Sequence, residues 1–129
     1  FQPHPAEFIE LVMPLLQQDR LKNRVIIQSF DPNVLNLLHS KYPEVPVAFL
    51  VEHPNPEEQL KKLDFTPDYY SANHALLENK AAVDLLKVRG MKVMAWTVNR
   101  RRDIRKMLDH GVDVIISDYP DRVLKKLKK

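Results

Sequence analysis

The sequence contains no cysteine, which excludes disulfide staples, thiolate metal sites and a cysteine nucleophile. A cysteine-free chain suits cytoplasm, bacterial periplasm or secretion alike, so the compartment stays open. No apolar run approaches the ~20 residues that a membrane-spanning helix needs. Glycine is scarce, with two in 129 residues, Gly90 and Gly111, and each stands where a helix is expected to stop. No internal repeat, linker or low-complexity segment suggests a domain boundary inside the chain. The first residue is Phe1 rather than methionine, which is compatible with a leader lost together with whatever preceded it.

What is there is a mildly basic chain, net +3 with a pI near 9.2. The excess gathers in Arg100-Arg101-Arg102 and in Lys125-Lys126-Leu127-Lys128-Lys129. A nucleic-acid surface would mass basic residues on one face with aromatics interleaved. These clusters mark a helix start and a chain end, so solvated helix surface is expected and no nucleic-acid partner. The length suffices to bury a core, yet it falls short of the roughly 250 residues of a complete (β/α)8 barrel.

Along the chain, short Val- and Ile-rich runs alternate with helical patterns, as buried parallel strands do between crossover helices. Phe1–Pro5 reads as a loop leading into a helix that begins at Pro5. Its inner face is Phe8, Val12 and Leu15, flanked by Ile9, Leu11 and Leu16, and Pro14 should kink or split it near Met13. His4 reads as an exposed loop residue. Val25-Ile26-Ile27 is a strand ending in Gln28-Ser29-Phe30, after which Asp31 caps a helix with Pro32 at its first position. Val34, Leu35, Leu37 and Leu38 give that helix its core face. Val45–Val51 is the next strand and ends at Glu52-His53. Asn55 and Glu58 are spaced as a capping box, with Leu60 and Leu63 facing inward. Asp68-Tyr69-Tyr70-Ser71 is the weakest strand candidate, short and flanked by Pro67 and Asn73. A helix follows from Asn79 to Arg89, with Ala82, Leu85 and Leu86 inward.

The densest signal is Gly90 to Pro120. Two apolar runs, Lys92–Val98 and Val112–Ser117, flank a polar helical segment closed by Gly111. Alternation along the first run puts Met94 and Trp96 on one face and Val93, Ala95 and Thr97 on the other. The single tryptophan thus projects inward near the strand's C-terminal end, where parallel α/β folds place their sites. Asn99 is expected to cap the following helix. Asp118 should cap the last one, whose Val123, Leu124 and Leu127 pack inward.

Trp96-Thr97-Val98-Asn99, followed by Gly111-Val112-Asp113 and Ile115-Ile116-Ser117-Asp118-Tyr119-Pro120, resembles the end of a glycerophosphodiester phosphodiesterase. Val114 and Ser117 stand where that family usually has glycine and threonine. Gln28-Ser29-Phe30-Asp31 is similar to a second landmark of the family, in the right order and at a suitable separation. The resemblance covers nearly the whole chain. It implies an α/β fold, about five β/α units forming the C-terminal part of a TIM-type (β/α)8 barrel with parallel strands, so that residues 1–129 are one partial domain.

The same resemblance implies metal-dependent hydrolysis of a small-molecule glycerophosphodiester to glycerol 3-phosphate and an alcohol. A divalent metal, Mg or Ca, and histidines for proton transfer serve the complete enzyme. Those groups come from early motifs of the family, an HRG-type strand end and a Glu-x-Lys strand among them, and none is found here. None of the five histidines is followed by Arg-Gly. The catalytic N-terminal half is therefore expected outside this chain, which would hold no catalytic residue and no metal ligand. Phe30, Trp96, Glu52 and Tyr70 are its candidate substrate-binding residues, and Asn73 and His74 lie beside the same expected mouth. Glu52 has a second reading, as surface partner to a lysine. An alternative function is a non-catalytic half-barrel that binds or assembles, by self-association or by pairing with the missing half, because an opened barrel exposes strand edges.

Overall fold

The computed structural model describes residues 4–18, 21 and 23–128. The expected loop over residues 1–3 and the terminal Lys129 lie outside them. Helix α1 (Pro5–Leu16) precedes strand β1 (Ile27–Ser29), followed by α2 (Pro32–Lys41), β2 (Val47–Val51) and α3 (Pro56–Leu60). Then come β3 (Tyr69–Asn73), a 3-10 turn (His74–Leu77), α4 (Lys80–Val88), β4 (Lys92–Trp96), α5 (Arg101–His110), β5 (Val114–Ile115) and α6 (Pro120–Leu127). The strands form one sheet in the order β1-β2-β3-β4-β5, and each neighbouring pair is parallel. Sequential parallel strands with a helical crossover after each are five β/α units of a TIM-type barrel.

Two layers follow from the register. Phe49 pairs with Tyr70 and Tyr70 with Val93, while Val51, Ala72 and Ala95 continue the same face. That face joins Leu35 and Leu38 of α2, Leu60 of α3, Val83 and Leu86 of α4, and Ile104 and Met107 of α5 in one hydrophobic cluster. The opposite face carries Gln28, Ala48, Leu50, Ser71, Met94 and Trp96. The candidate judged weakest from sequence, β3, is thus the middle strand. Its small or polar residues Ser71, Ala72 and Asn73 hide it from a reading based on apolar runs.

Side chains fix the sheet's lower end. The Asp68 carboxylate accepts from the Val47 backbone N–H at 2.9 Å, and Asp113 accepts from Val93 N–H at 2.8 Å. Each aspartate precedes a strand and holds the start of the preceding strand, which sets register where no helix does. Helix boundaries agree with their caps: Asn33 N–H donates to Asp31 Oδ1 at 2.9 Å, and Glu58 N–H to Asn55 Oδ1 at 3.3 Å. Gly111 closes α5 with φ +83°, a left-handed conformation that glycine adopts without a Cβ penalty.

Several expectations need correction. Of the two effects expected of Pro14, splitting does not occur: helix α1 runs through it to Leu16. Pro14 and Glu10, whose carbonyl loses its donor, are both exposed, so water can replace the missing bond. The face that α1 buries is Ile9 and Met13, whereas Leu11 and Leu15 point outward at 69% and 58% exposure. On α4, Val83 and Leu86 are buried and Leu85 is exposed; on α6, Leu124 and Leu127 are exposed. Strand β1 begins two residues later than expected, leaving Val25 and Ile26 before it.

The largest fully buried side chain is Phe49, at the centre of the helix-facing layer. Phe49→Ala is expected to cost about 3–5 kcal/mol, read as a lowered urea midpoint.

Candidate functional site

Period-two alternation carries the site residues to the strand ends. Phe30 lies one residue past β1 and Glu52 one past β2, while Trp96 is the last residue of β4. All three belong to the face turned away from the helices. They line one open cleft of about 410 Å3 together with Gln28, Leu50, Thr97 and Ile116. Phe30 and Trp96 meet edge-to-face, their ring centroids 6.0 Å apart and their planes at 89°, an arrangement that aromatic quadrupoles favour. Phe30 is 53% exposed, so this apolar wall faces solvent. The Trp96 indole nitrogen is buried and has no acceptor among the described residues.

Glu52 is exposed at the cleft rim and enters no ion pair among the described residues, so the reading as a lysine's partner is not met. Tyr70 lies elsewhere. It is the second residue of β3, it pairs with Phe49 and Val93, and it is 2% exposed within the helix-side core. Its expected place at the mouth is therefore corrected: alternation turns it to the other side of the sheet. Asn73 caps the 3-10 turn, its Oδ1 accepting from Ala75 N–H at 3.0 Å, and His74 begins that turn. Gln28 and Leu50 were passed over in sequence, although counting back two from Phe30 and from Glu52 finds both.

The motif residues behind the resemblance hold each other. Asn99 does not cap α5, whose N-cap is Arg100 with no side-chain bond. Its Oδ1 instead accepts from Asp118 N–H at 2.9 Å and from Ser117 Oγ at 3.1 Å. Its Nδ2 donates to Asp118 Oδ2 at 2.9 Å. A bridge of three bonds engages more of the amide than a single cap would. It ties the loop after β4, which presents Trp96 and Thr97, to the loop after β5. Asp118 likewise serves this bridge, and the N-cap of α6 is Tyr119, with no side-chain bond. Between α5 and α6, Arg101, Arg122, Lys125, Lys126 and Lys128 line a surface cavity with no aromatic ring in its lining.

Among the described residues no three of His, Cys, Asp or Glu converge as a metal site, and Glu52 is the only carboxylate lining the cleft. No described helix is long and apolar enough to cross a membrane.

A parallel β/α sheet in chain order, with a cleft beyond its strand ends, is the architecture of an α/β-barrel protein. The chain belongs to the glycerophosphoryl diester phosphodiesterase family, which it matches over residues 3–122. It is 30% identical over 128 residues to YhdW of Bacillus subtilis (strain 168), covering 95% of this chain and 52% of YhdW. A glycerophosphodiester phosphodiesterase structure from Parabacteroides distasonis superposes with a TM-score of 0.82 at 26% identity, covering 99% of this chain and 54% of that one. A phosphodiesterase from Oleispira antarctica, solved in complex with the product sn-glycerol-3-phosphate, shares the fold. Its TM-score is 0.75 at 21% identity, covering 97% of this chain and 49% of that one. The chain spans about half the length of the curated relatives it matches.

Burial pushes the Tyr70 phenol up from its ordinary 10.0 to about 12. The unfolded chain then releases this proton before the folded one does. The stability linked to this group is fully present below pH 10 and is lost as the pH rises through about 12. Urea midpoints are expected to fall above pH 10, and Tyr70→Phe should flatten that fall.

Proposed function

We propose that this chain forms the substrate-pocket wall of a phosphoric diester hydrolase that converts glycerophosphodiesters to glycerol 3-phosphate and an alcohol. The observation that carries the reading is the Phe30–Trp96 pair at the strand ends, roofing an open cleft with one carboxylate, Glu52, at its rim. Flat apolar rings suit the carbons of a glycerol moiety, and their place outside the strand ends is where this architecture receives ligands. Family membership and the glycerol phosphate complex of the Oleispira antarctica phosphodiesterase support the substrate class.

Hydrolysis of a phosphodiester requires neutralisation of phosphate charge and a proton for the departing alkoxide. One exposed carboxylate supplies neither the charge nor a paired acid and base. The described residues do not fit the divalent metal that the resemblance implies. In this reading the metal ligands and proton-transferring groups come from outside the described residues. The chain binds and orients the glycerol end.

Trp96 is the only tryptophan, so emission excited where tyrosine does not absorb reports on this cleft. Titration with sn-glycerol 3-phosphate is expected to change that emission saturably, and Phe30→Ala should weaken binding about two- to tenfold. A flat titration would remove the pocket reading. With Mg2+ or Ca2+ and glycerophosphocholine, the purified chain is expected to give no turnover. Metal-dependent choline release would overturn the division of labour.

A second reading, a half-barrel that assembles without catalysing, is favoured by one feature. The outer strands β1 and β5 each pair on one side only, and exposed leucines flank both: Leu11 and Leu15 on α1, Leu124 and Leu127 on α6. Light scattering decides it, since this reading expects a dimer or larger and a stable monomer counts against self-association.

A further inference from the structure

The cleft contains a polar group that an apolar wall does not require. Gln28 occupies the side of β1 turned away from the helices, lines this cleft, and also lines a second cavity that shares Phe30 and Leu50 with it. Its Oε1 accepts from the Ser71 hydroxyl at 3.2 Å, across the intervening strand β2. The reach is possible because Ala48, level with Gln28 in the register, presents only a methyl group. Ser71 is wholly buried, and a buried hydroxyl needs a partner. The hydroxyl proton needs an acceptor, and Gln28 Oε1 is the one that the structure gives it, which turns the amide oxygen towards Ser71. With Oε1 committed to Ser71, Nε2 is the free end, and none of the described residues accepts from it. Gln28 itself is exposed, so that donor is open to a ligand.

We propose that Gln28 is a specificity-determining residue that donates from Nε2 to a hydroxyl oxygen of the glycerol moiety, and that Ser71 positions it. This rests on the pocket reading above. Phe30 and Trp96 recognise carbon surface and cannot distinguish a glycerol from a propyl chain of the same length. A directed amide donor beside them can. The arrangement therefore assigns shape to the two rings and hydroxyl recognition to Gln28.

The test compares sn-glycerol 3-phosphate with propyl phosphate, which keeps the phosphate and three carbons but lacks both hydroxyls, with Trp96 emission as readout. The unaltered chain is expected to prefer glycerol 3-phosphate by about three- to tenfold, the worth of one neutral hydrogen bond. Gln28→Leu should erase that preference while leaving propyl phosphate binding in place, and Gln28→Met serves as a second variant of similar length should Gln28→Leu misfold. Ser71→Ala should reduce the preference with Gln28 intact, an effect that simple loosening of the sheet would not confine to the hydroxyl-bearing ligand. If the unaltered chain binds both ligands equally, or Gln28→Leu and Gln28→Met keep the preference, the assignment of Gln28 is overturned while the pocket stands. If neither ligand binds, the pocket reading itself fails and takes this assignment with it.

Discussion

Everything in this molecule depends on a constraint of the parallel sheet: each strand residue must face either the helices or the opposite side, and the assignment alternates strictly. On the helix side, Phe49, Tyr70 and Val93 form one row across three strands and are sealed by α2, α4 and α5. Burial there leaves the neighbouring row free of any packing duty towards the helices. That second row can hold Gln28, Ser71 and Trp96, residues a helix-facing layer would exclude. Function and stability are thus divided by a single-residue step. A slip of one position would bury Gln28 against helices and turn Phe49 towards solvent.

The same constraint explains what could be read from sequence. Strand ends were legible at Phe30, Glu52 and Trp96 because each follows an apolar run whose terminus is marked by a cap or a break, and alternation then carries all three to one cleft. Tyr70 was not legible, because its strand has no such run. Asp68-Tyr69-Tyr70-Ser71 reads only as a short strand candidate with no frame to say which face Tyr70 takes, whereas the register makes it core. Helix faces differ from the spacing's expectation on α1, where apolar residues run round more than one face, and on α6, whose single stripe is left largely uncovered. Periodicity identifies a stripe, but only the neighbouring element decides which stripe is covered.

Polar side chains supply what packing leaves undecided. At the lower end, Asp68 and Asp113 hold backbone amides of the strands before their own. At the upper end, Asn99 joins two loops through Ser117 and Asp118. Asn99 and Asp118 could each have capped a helix, and local sequence reads them so. The tertiary bridge prevails because a carboxamide can donate and accept at once, which a helix N-terminus cannot use. The loop carrying Thr97 is thereby attached to the scaffold on both sides, as precise presentation of a cleft requires.

Strand order in this sheet equals chain order. Each of these five strands pairs within the sheet with the strand made just before or just after it, so none of these pairings waits for a distant stretch of polypeptide. Such a sheet can be laid down progressively as the chain leaves the ribosome, each β/α unit adding to a finished edge. Growth by whole units at either edge also leaves the interior pairings untouched. These five units can therefore be separated from, or joined to, further units at their outer strands without redrawing the pairings between them.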